Sequence, residues 1–377
     1  MLEAISRNHS IVTGKNNLES LFCIPQFPIF FGCVDQPETA DEKMDMSWSI
    51  CPESGVIQLE KLVPLEKLYQ FQHFDGTGAT WKQYYLDFAN YIKEQNALNI
   101  LEIGGGIGNL AKEFINITDK TTWTIVEPNP VCKLEGRIKT IASFFDSSFK
   151  YSGQVDTIVH SQVLEHMYDP QEFIRDVSMF IKPGNKMVFG FPNLKLFLER
   201  KYTNAINFEH TLFLTEYFVD YFLLKNKFSI LDKTYYKEHI FYTAQKEEYS
   251  EDNINFENKS VEYKRIFDNF IGYHKQLVNN LNNKISLFDG PVYVFGAHIF
   301  SQYLFEFGLE KSKIKGILDN SELKKGKRLY GYPFLVYDPE TIRELKTVAV
   351  VLKVGQFRDE ILKQLISINP NVKILED

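Results

Sequence analysis

Asn99-Ile-Leu-Glu102-Ile-Gly104-Gly-Gly106-Ile-Gly108-Asn109 decides how this chain is read. An apolar run carries an acidic residue, enters a glycine-rich turn and passes into a helical pattern from Leu110 to Ile115. A strand, a turn and a helix in that order let a ligand approach the backbone, because glycine has no Cβ in the way. The glycines repeat as Gly104-x-Gly106-x-Gly108. A dinucleotide fingerprint, G-x-G-x-x-G, needs glycine at position 109, where Asn109 stands.

Outward from that turn, residues 71–247 alternate strand and helix patterns. Strands are predicted at Asn99–Ile103, Thr122–Val126, Thr157–His160 and Lys186–Phe191, with helical segments between them. This implies βαβ units and a parallel sheet. Residues 1–70 mix apolar runs with prolines and read as short strands and loops. Gln245 to Ser260 is polar and reads as a linker. Val261 to Ile285 has helical spacing (Ile266, Phe267, Phe270, Ile271, Leu277, Val278, Leu281). Residues 255–377 then form a second α/β unit, with strands predicted at Val292–Phe295, Ile314–Leu318 and Val348–Lys353. Its first turn, Phe295-Gly296-Ala297-His298, has one glycine and no phosphate cradle.

The chain has 377 residues, 44% of them hydrophobic and 24% charged, enough for two or three globular domains. A net charge of −7 argues against nucleic acid or an anionic membrane as partner. Leu21 to Gly32, the most apolar early run, is short and broken by Pro25 and Pro28, so it spans no bilayer. Met1 to Ser10 has no apolar core of a secretory signal. Cys23, Cys33, Cys51 and Cys132 are too few for a disulfide framework. The expectation is a soluble cytoplasmic protein.

Three further stretches fall where a nucleoside ligand needs partners. Glu127 ends the second strand, about twenty residues beyond Gly104, and its carboxylate can accept both hydroxyls of a ribose. Phe144-Phe145-Asp146 offers an aromatic face, Phe145, for adenine and an acid, Asp146, for its amine. His160-Ser-Gln162-Val-Leu-Glu165-His166 closes the fourth strand, where the reacting end of a ligand would sit.

Together these motifs resemble class I S-adenosylmethionine (SAM) methyltransferases, whose first motif has the form E-x-G-x-G-x-G and whose fourth strand leads into N-V-L-E-H. The order of motifs along the chain is similar to the three-domain methyltransferases of nucleotide-linked deoxysugars. Cys51-Pro-Glu-Ser54-Gly55-Val-Ile-Gln58-Leu59 resembles their C-x-x-C-G-x-x-Q-L. Ile206-Asn207-Phe208-Glu209-His210 resembles their I-Y-H-E-H, and Phe357-Arg-Asp359-Glu360-Ile361, preceded by Asp319-Asn320 and Lys325-Gly326, their last unit. The resemblance implies an α/β chain in three parts: a small zinc-ribbon-like module (1–70), a Rossmann-like SAM domain (71–247) and a C-terminal Rossmann-like domain (255–377). It implies SAM held by Glu102, Gly104, Gly106, Gly108, Glu127, Phe145, Asp146 and Gln162. It also implies a nucleotide sugar or related surface-polysaccharide precursor as acceptor, with Glu209 and His210 as catalytic residues.

The departures change the expectation. Where the family carries two C-x-x-C knuckles, this chain has Ser10-x-x-Thr13-Gly14 and Cys51-x-x-Ser54-Gly55. Hydroxyls are poor ligands for a closed tetrahedral zinc site, so no metal is expected. The paired tyrosines of the C-methylating members are replaced at Phe71-Gln72-His73, and the tyrosine of I-Y-H-E-H by Asn207. Abstracting a proton from carbon needs a base and an enolate stabiliser, whereas an oxygen acceptor needs less. O-methylation is therefore favoured over C-methylation, with His210 as base because imidazole titrates near neutrality. His166 is read as closing its turn, and His298 as a cap at the mouth of the second unit. Lys324, Lys325, Lys327 and Arg328 are open to two readings, a diphosphate grip and a solvated run. The rival classes are a nicotinamide-dependent oxidoreductase, which Asn109 opposes, and a non-catalytic scaffold, which the intact glycine turn opposes.

Overall fold

The computed structural model describes residues 3–68, 78–130, 136–249, 254 and 256–376. Phe71, Gln72, His73 and Cys132 lie outside the described residues.

The first part of the chain is a three-stranded antiparallel sheet of β1 (Glu19–Pro28), β2 (Lys43–Ile50) and β3 (Ile57–Leu59). It does not close on itself. β3 is extended by the segment around Leu212, which bridges Gln58, through Leu59 N–H to Thr211 O at 2.9 Å and Phe213 N–H to Ile57 O at 2.8 Å. Buried Arg7 donates to Tyr168 O (2.6 Å) and lies 3.4 Å from Thr211 Oγ1, so one guanidinium ties the module to two loops of the next domain.

Helix α1 (Ala79–Glu94) leads into the central sheet. Its strands are β4 (Asn99–Ile103), β5 (Thr122–Val126), β6 (Ile138–Ile141), β7 (Thr157–Ser161), β8 (Lys186–Pro192), β9 (Phe228–Tyr236) and β10 (His239–Lys246). The order is β9-β10-β8-β7-β4-β5-β6, with β4 to β8 parallel and the terminal hairpin antiparallel. α2 (Asn109–Asn116), α3 (Pro170–Phe180), α4 (Leu194–Glu199) and α5 (Glu216–Lys225) complete this α/β layer. The order reverses at β4, and ligands of open α/β sheets bind outside the carboxyl ends at such a point. The four strands expected in this region are present within a residue at each end. β6 and the β9–β10 hairpin were not expected. Nor is there a helix among the described residues between β5 and β7, where Pro128 and Pro130 interrupt the chain.

Helix α6 (Ser260–Ser286) spans two cores. Tyr263, Ile266, Phe267, Phe270 and Ile271 pack with the N-terminal module and the central sheet, whereas Leu277, Val278, Leu281 and Ile285 pack with a second parallel sheet. This sheet has five strands, β11 (Val292–Phe295), β12 (Ile314–Leu318), β13 (Val336–Tyr337), β14 (Ala349–Leu352) and β15 (Lys373–Leu375), in the order β13-β12-β11-β14-β15. α7 (Ile299–Glu306) and α8 (Arg358–Ile368) pack on it. The carboxyl ends of this sheet meet the central domain: Tyr303 on α7 donates to Ile206 O at 2.5 Å, and Gly355 beyond β14 lies against the Tyr202 ring.

Candidate functional site

The glycine turn behaves as its sequence requires. Gly104, Gly106 and Gly108 all have positive φ (71°, 51° and 75°), a region that side chains with a Cβ avoid. A Cβ on Gly104 would stand 2.7 Å from Val163 Cγ2, so the turn and the loop after β7 are pressed together. A Cβ on Gly106 would meet nothing within 4 Å, so that face of the turn is open. Glu127 leans across from the end of β5. Its carboxylate accepts from Gly106 N–H (3.1 Å) and Asn129 N–H (3.1 Å), one bond to each oxygen.

Glu102 stands beneath the turn and not in it. It is buried, accepts from Trp123 Nε1–H at 2.7 Å and underlies Gly105, where a Cβ would lie 2.8 Å from its Oε2. Burial pushes its carboxyl up to about 7, against the Trp123 bond that pulls it down. Phe145 is a half-buried ring packed against the core, in edge or tilted contact with Phe149, Phe173 and Phe180 at 5.4–6.2 Å. Asp146 is exposed and accepts from Ser148 N–H and Oγ–H (2.8 and 2.6 Å). The aromatic at this edge with an exposed face is Phe144, 66% accessible. The sequence offers two adjacent phenylalanines with nothing to separate them.

Gln162 adopts φ +55° after β7 and its amide Nε2 reaches Tyr84 OH (2.9 Å) and His239 Nδ1 (3.3 Å). Tyr84 also meets Ser161 Oγ at 2.9 Å, and it passes Gly190 so closely that a Cβ there would stand 2.4 Å from its hydroxyl. Tyr84 and His239 were not anticipated; their only signal is that α1 and β10 flank the carboxyl end of β7.

Beyond Gln162 the loop carries Glu165 and His166, and the segment after Ile206 brings Glu209 and His210 to meet them. His166 and His210 are ring to ring at 4.7 Å, and His166 Nδ1 is 3.8 Å from Glu209 Oε2. Asn207 is buried, and its Oδ1 accepts from both Glu209 N–H (2.7 Å) and His210 N–H (2.9 Å). His210 Nδ1 lies 2.7 Å from Asn204 O. Burial holds the His210 imidazole down to about 4 and pushes the Glu165 carboxyl up to about 8. The four residues thus form one group, although sequence alone assigns His166 to the turn and leaves Glu165 without a role.

The other candidates separate. Every cation of the basic run has a carboxylate: Arg328 grips Asp41 with two bonds of 2.8 Å, Lys325 meets Glu322 and Asp338, Lys324 is 3.6 Å from Asp319 and Lys327 3.9 Å from Asp35. The run is thus paired within the protein, which favours the solvated reading over a diphosphate grip. His298 stands at the N-cap of α7. Ser10, Thr13, Cys51 and Ser54 lie close together. Gly14 N–H bonds Ser10 O (2.8 Å), Gly55 N–H bonds Cys51 O (2.7 Å), and Thr13 Oγ1 is 3.8 Å from Cys51 Sγ. Burial raises the Cys51 thiol, but hydrogen bonds from Ser10, Ser54 and the Ser54 and Glu53 backbone outweigh it and hold the thiol below its usual value. Among the described residues no helix is long and apolar enough to cross a membrane.

A family model described as "Methyltransferase domain" matches residues 71–232. The ubiquinone biosynthesis O-methyltransferase of Escherichia coli O127:H6 (strain E2348/69 / EPEC) is 29% identical over 102 residues, covering 25% of this chain and 42% of that protein. The match therefore spans about two-fifths of that relative's length. An O-methyltransferase family protein from Burkholderia thailandensis is structurally similar at 12% identity and TM-score 0.37, over 45% of this chain and 61% of that one. The 1,6-didemethyltoxoflavin-N1-methyltransferase of Burkholderia thailandensis, solved with S-adenosylhomocysteine, gives 13% identity and TM-score 0.39, over 49% of this chain and 88% of that one. With the family match laid over the seven-stranded sheet and its glycine turn, the chain carries a class I methyltransferase domain whose cofactor is S-adenosylmethionine.

Proposed function

We propose that the whole chain transfers the methyl group of SAM to an oxygen of a small acceptor, a nucleotide-linked sugar or a related precursor of surface polysaccharide. Glu127 holds the ribose, the open face of Gly106 receives the amino-acid end, and Gln162 orients the loop that faces the methyl group. Glu209 and His210 act on the acceptor where the carboxyl ends of the two parallel sheets approach each other through Tyr202 to Ile206.

The observation that carries the choice of oxygen is Asn207. It replaces a phenol of the resembled family, and its side chain is used inward on the backbone of Glu209 and His210. Its amide Nδ2 donates to Asn204 O at 3.3 Å, so the buried side chain turns its donor inward and not toward a developing enolate, which carbon methylation requires. The displacement needs only alignment of the acceptor lone pair with the methyl–sulfur bond and a place for the hydroxyl proton.

Labelled SAM incubated with hydroxyl-bearing and keto nucleotide sugars tests this. Mass spectrometry should find one added methyl in the hydroxyl series, and NMR should place it on oxygen. A methyl on carbon would sink the reading. His210→Ala should lower turnover by roughly 10²-fold or more while the Kd for SAM stays the same. An equal loss in both would make His210 a cofactor residue.

A further inference from the structure

We infer that Glu165, His166 and His210 bind one divalent transition-metal cation beside the methyl-transfer site. One ligand atom from each residue lies within 4.8 Å of the other two. Ligands about 2.0–2.2 Å from one tetrahedral ion stand about 3.3–3.6 Å apart, so side-chain rotations that draw the atoms together by no more than about 1.5 Å close the set. Two imidazoles and one carboxylate form a donor set for zinc, cobalt, iron(II) or manganese. Magnesium and calcium prefer oxygen ligands throughout.

The surroundings point to an ion independently of the spacing. Glu165 is only 2% exposed and its Oε2 has no hydrogen-bond partner. A buried carboxylate oxygen left so is costly unless something positive or protic meets it. The imidazole of His210 is held the way a metal ligand is held. Its Nδ1 faces Asn204 O at 2.7 Å, so the proton sits there and Nε2 keeps its lone pair. His166 has a carboxylate neighbour, Glu209, 3.8 Å from Nδ1. The backbone carrying His210 and Glu209 is fixed by Asn207. The His166 side chain is 25% exposed, which gives an ion a route in from solvent.

Three protein ligands leave a coordination position for an oxygen. Its use in catalysis rests on the methyltransferase reading above. An acceptor hydroxyl bound there becomes more acidic, and its proton passes to the Glu209 carboxylate. The oxygen lone pair then forms the O–CH₃ bond as the methyl–sulfur bond of the sulfonium breaks, leaving S-adenosylhomocysteine as a neutral thioether.

The test is titration of the chelator-treated full chain with Co²⁺ and with Zn²⁺, followed by calorimetry and visible absorption. One ion per chain is expected. Glu165→Gln and His210→Ala should each weaken it at least roughly tenfold, and Cys51→Ala should leave it unchanged. His166→Gln, on the exposed side, gives the same reading should a buried variant fail to fold. No binding of either ion by the folded chain would overturn the site. So would a sulfur-to-cobalt charge-transfer band abolished by Cys51→Ala, which would put the ion at the Ser10–Cys51 cluster. SAM affinity is measured in parallel. Ion binding without SAM binding leaves the site standing and overturns the methyl-transfer reading; SAM binding without an ion does the reverse.

Discussion

Glu127 is the residue through which the cofactor reading is most directly tested. Each of its carboxylate oxygens already holds one backbone N–H, at 3.1 Å, so the side chain is aimed before any ligand arrives. Removing it by Glu127→Ala should cost SAM binding about 1.5–3 kcal/mol, roughly ten- to hundredfold in Kd, with an unchanged melting temperature. An unaltered Kd in calorimetry would take Glu127 out of the site. Its position was legible because the distance from the glycine turn is fixed by one helix and one strand. The division of labour between Phe144 and Phe145 was not, since burial alone separates them. His160 is the opposite case. It lies in β7 stacked on Phe189 at 4.7 Å, fully buried, with neither ring nitrogen hydrogen-bonded. Nothing in the site uses it. Replacing an unsatisfied polar group by an apolar one of similar volume removes a burial penalty, so His160→Leu should raise the denaturant midpoint at neutral pH without changing SAM affinity.

Among the elements, the buried strands were readable as apolar runs closed by glycine or an acid, unbroken in β11 and interrupted by one charged residue in β4 (Glu102) and β12 (Lys315). The β9–β10 hairpin escaped for a chemical reason. Its turn is Lys237-Glu238, with Lys237 at φ +49° and no glycine to announce the reversal. β6 escaped because it is four residues long and half of it is only partly buried. Helix α6 was legible nearly to the residue, but not its use as a beam shared by two cores. The contact that seats it is testable. Gly55 has φ +82°, and a Cβ there would stand 2.4 Å from both Lys259 C and Ser260 N, at the start of the helix. Gly55→Ala should destabilise the chain by about 1–3 kcal/mol in guanidinium unfolding. Gly14→Ala, at φ +72° in open space, carries the backbone strain alone and should cost less. Equal costs would mean that the contact with α6 contributes nothing.

At the scale of the whole molecule, buried titratable groups set opposite limits on stability. The Glu102 carboxyl is raised from 4.5 to about 7, so the folded chain keeps a proton that the unfolded chain has lost. Its contribution is complete below 4.5 and disappears as pH rises through 7. His160 and His239 are lowered by burial from 6.5 to about 3 and about 4, so the unfolded chain takes protons that the folded one refuses. Their effect is absent above 6.5 and grows as pH falls towards 4. Stability from equilibrium denaturation should therefore peak on the slightly acidic side of neutrality. Glu102→Gln should flatten the alkaline decline and His160→Leu part of the acid one. A profile unmoved by Glu102→Gln would assign the decline elsewhere.

The borrowed edge of the N-terminal sheet, where Ile57 and Leu59 bond to Phe213 and Thr211, has a consequence for how the chain comes into being. Protein synthesis delivers the first sheet long before residue 211 leaves the ribosome. Until then β3 presents unpaired amides and carbonyls, the kind of edge that recruits other strands. The nascent chain must keep its opening segment waiting, and the methyltransferase domain, on arriving, completes its predecessor as well as itself.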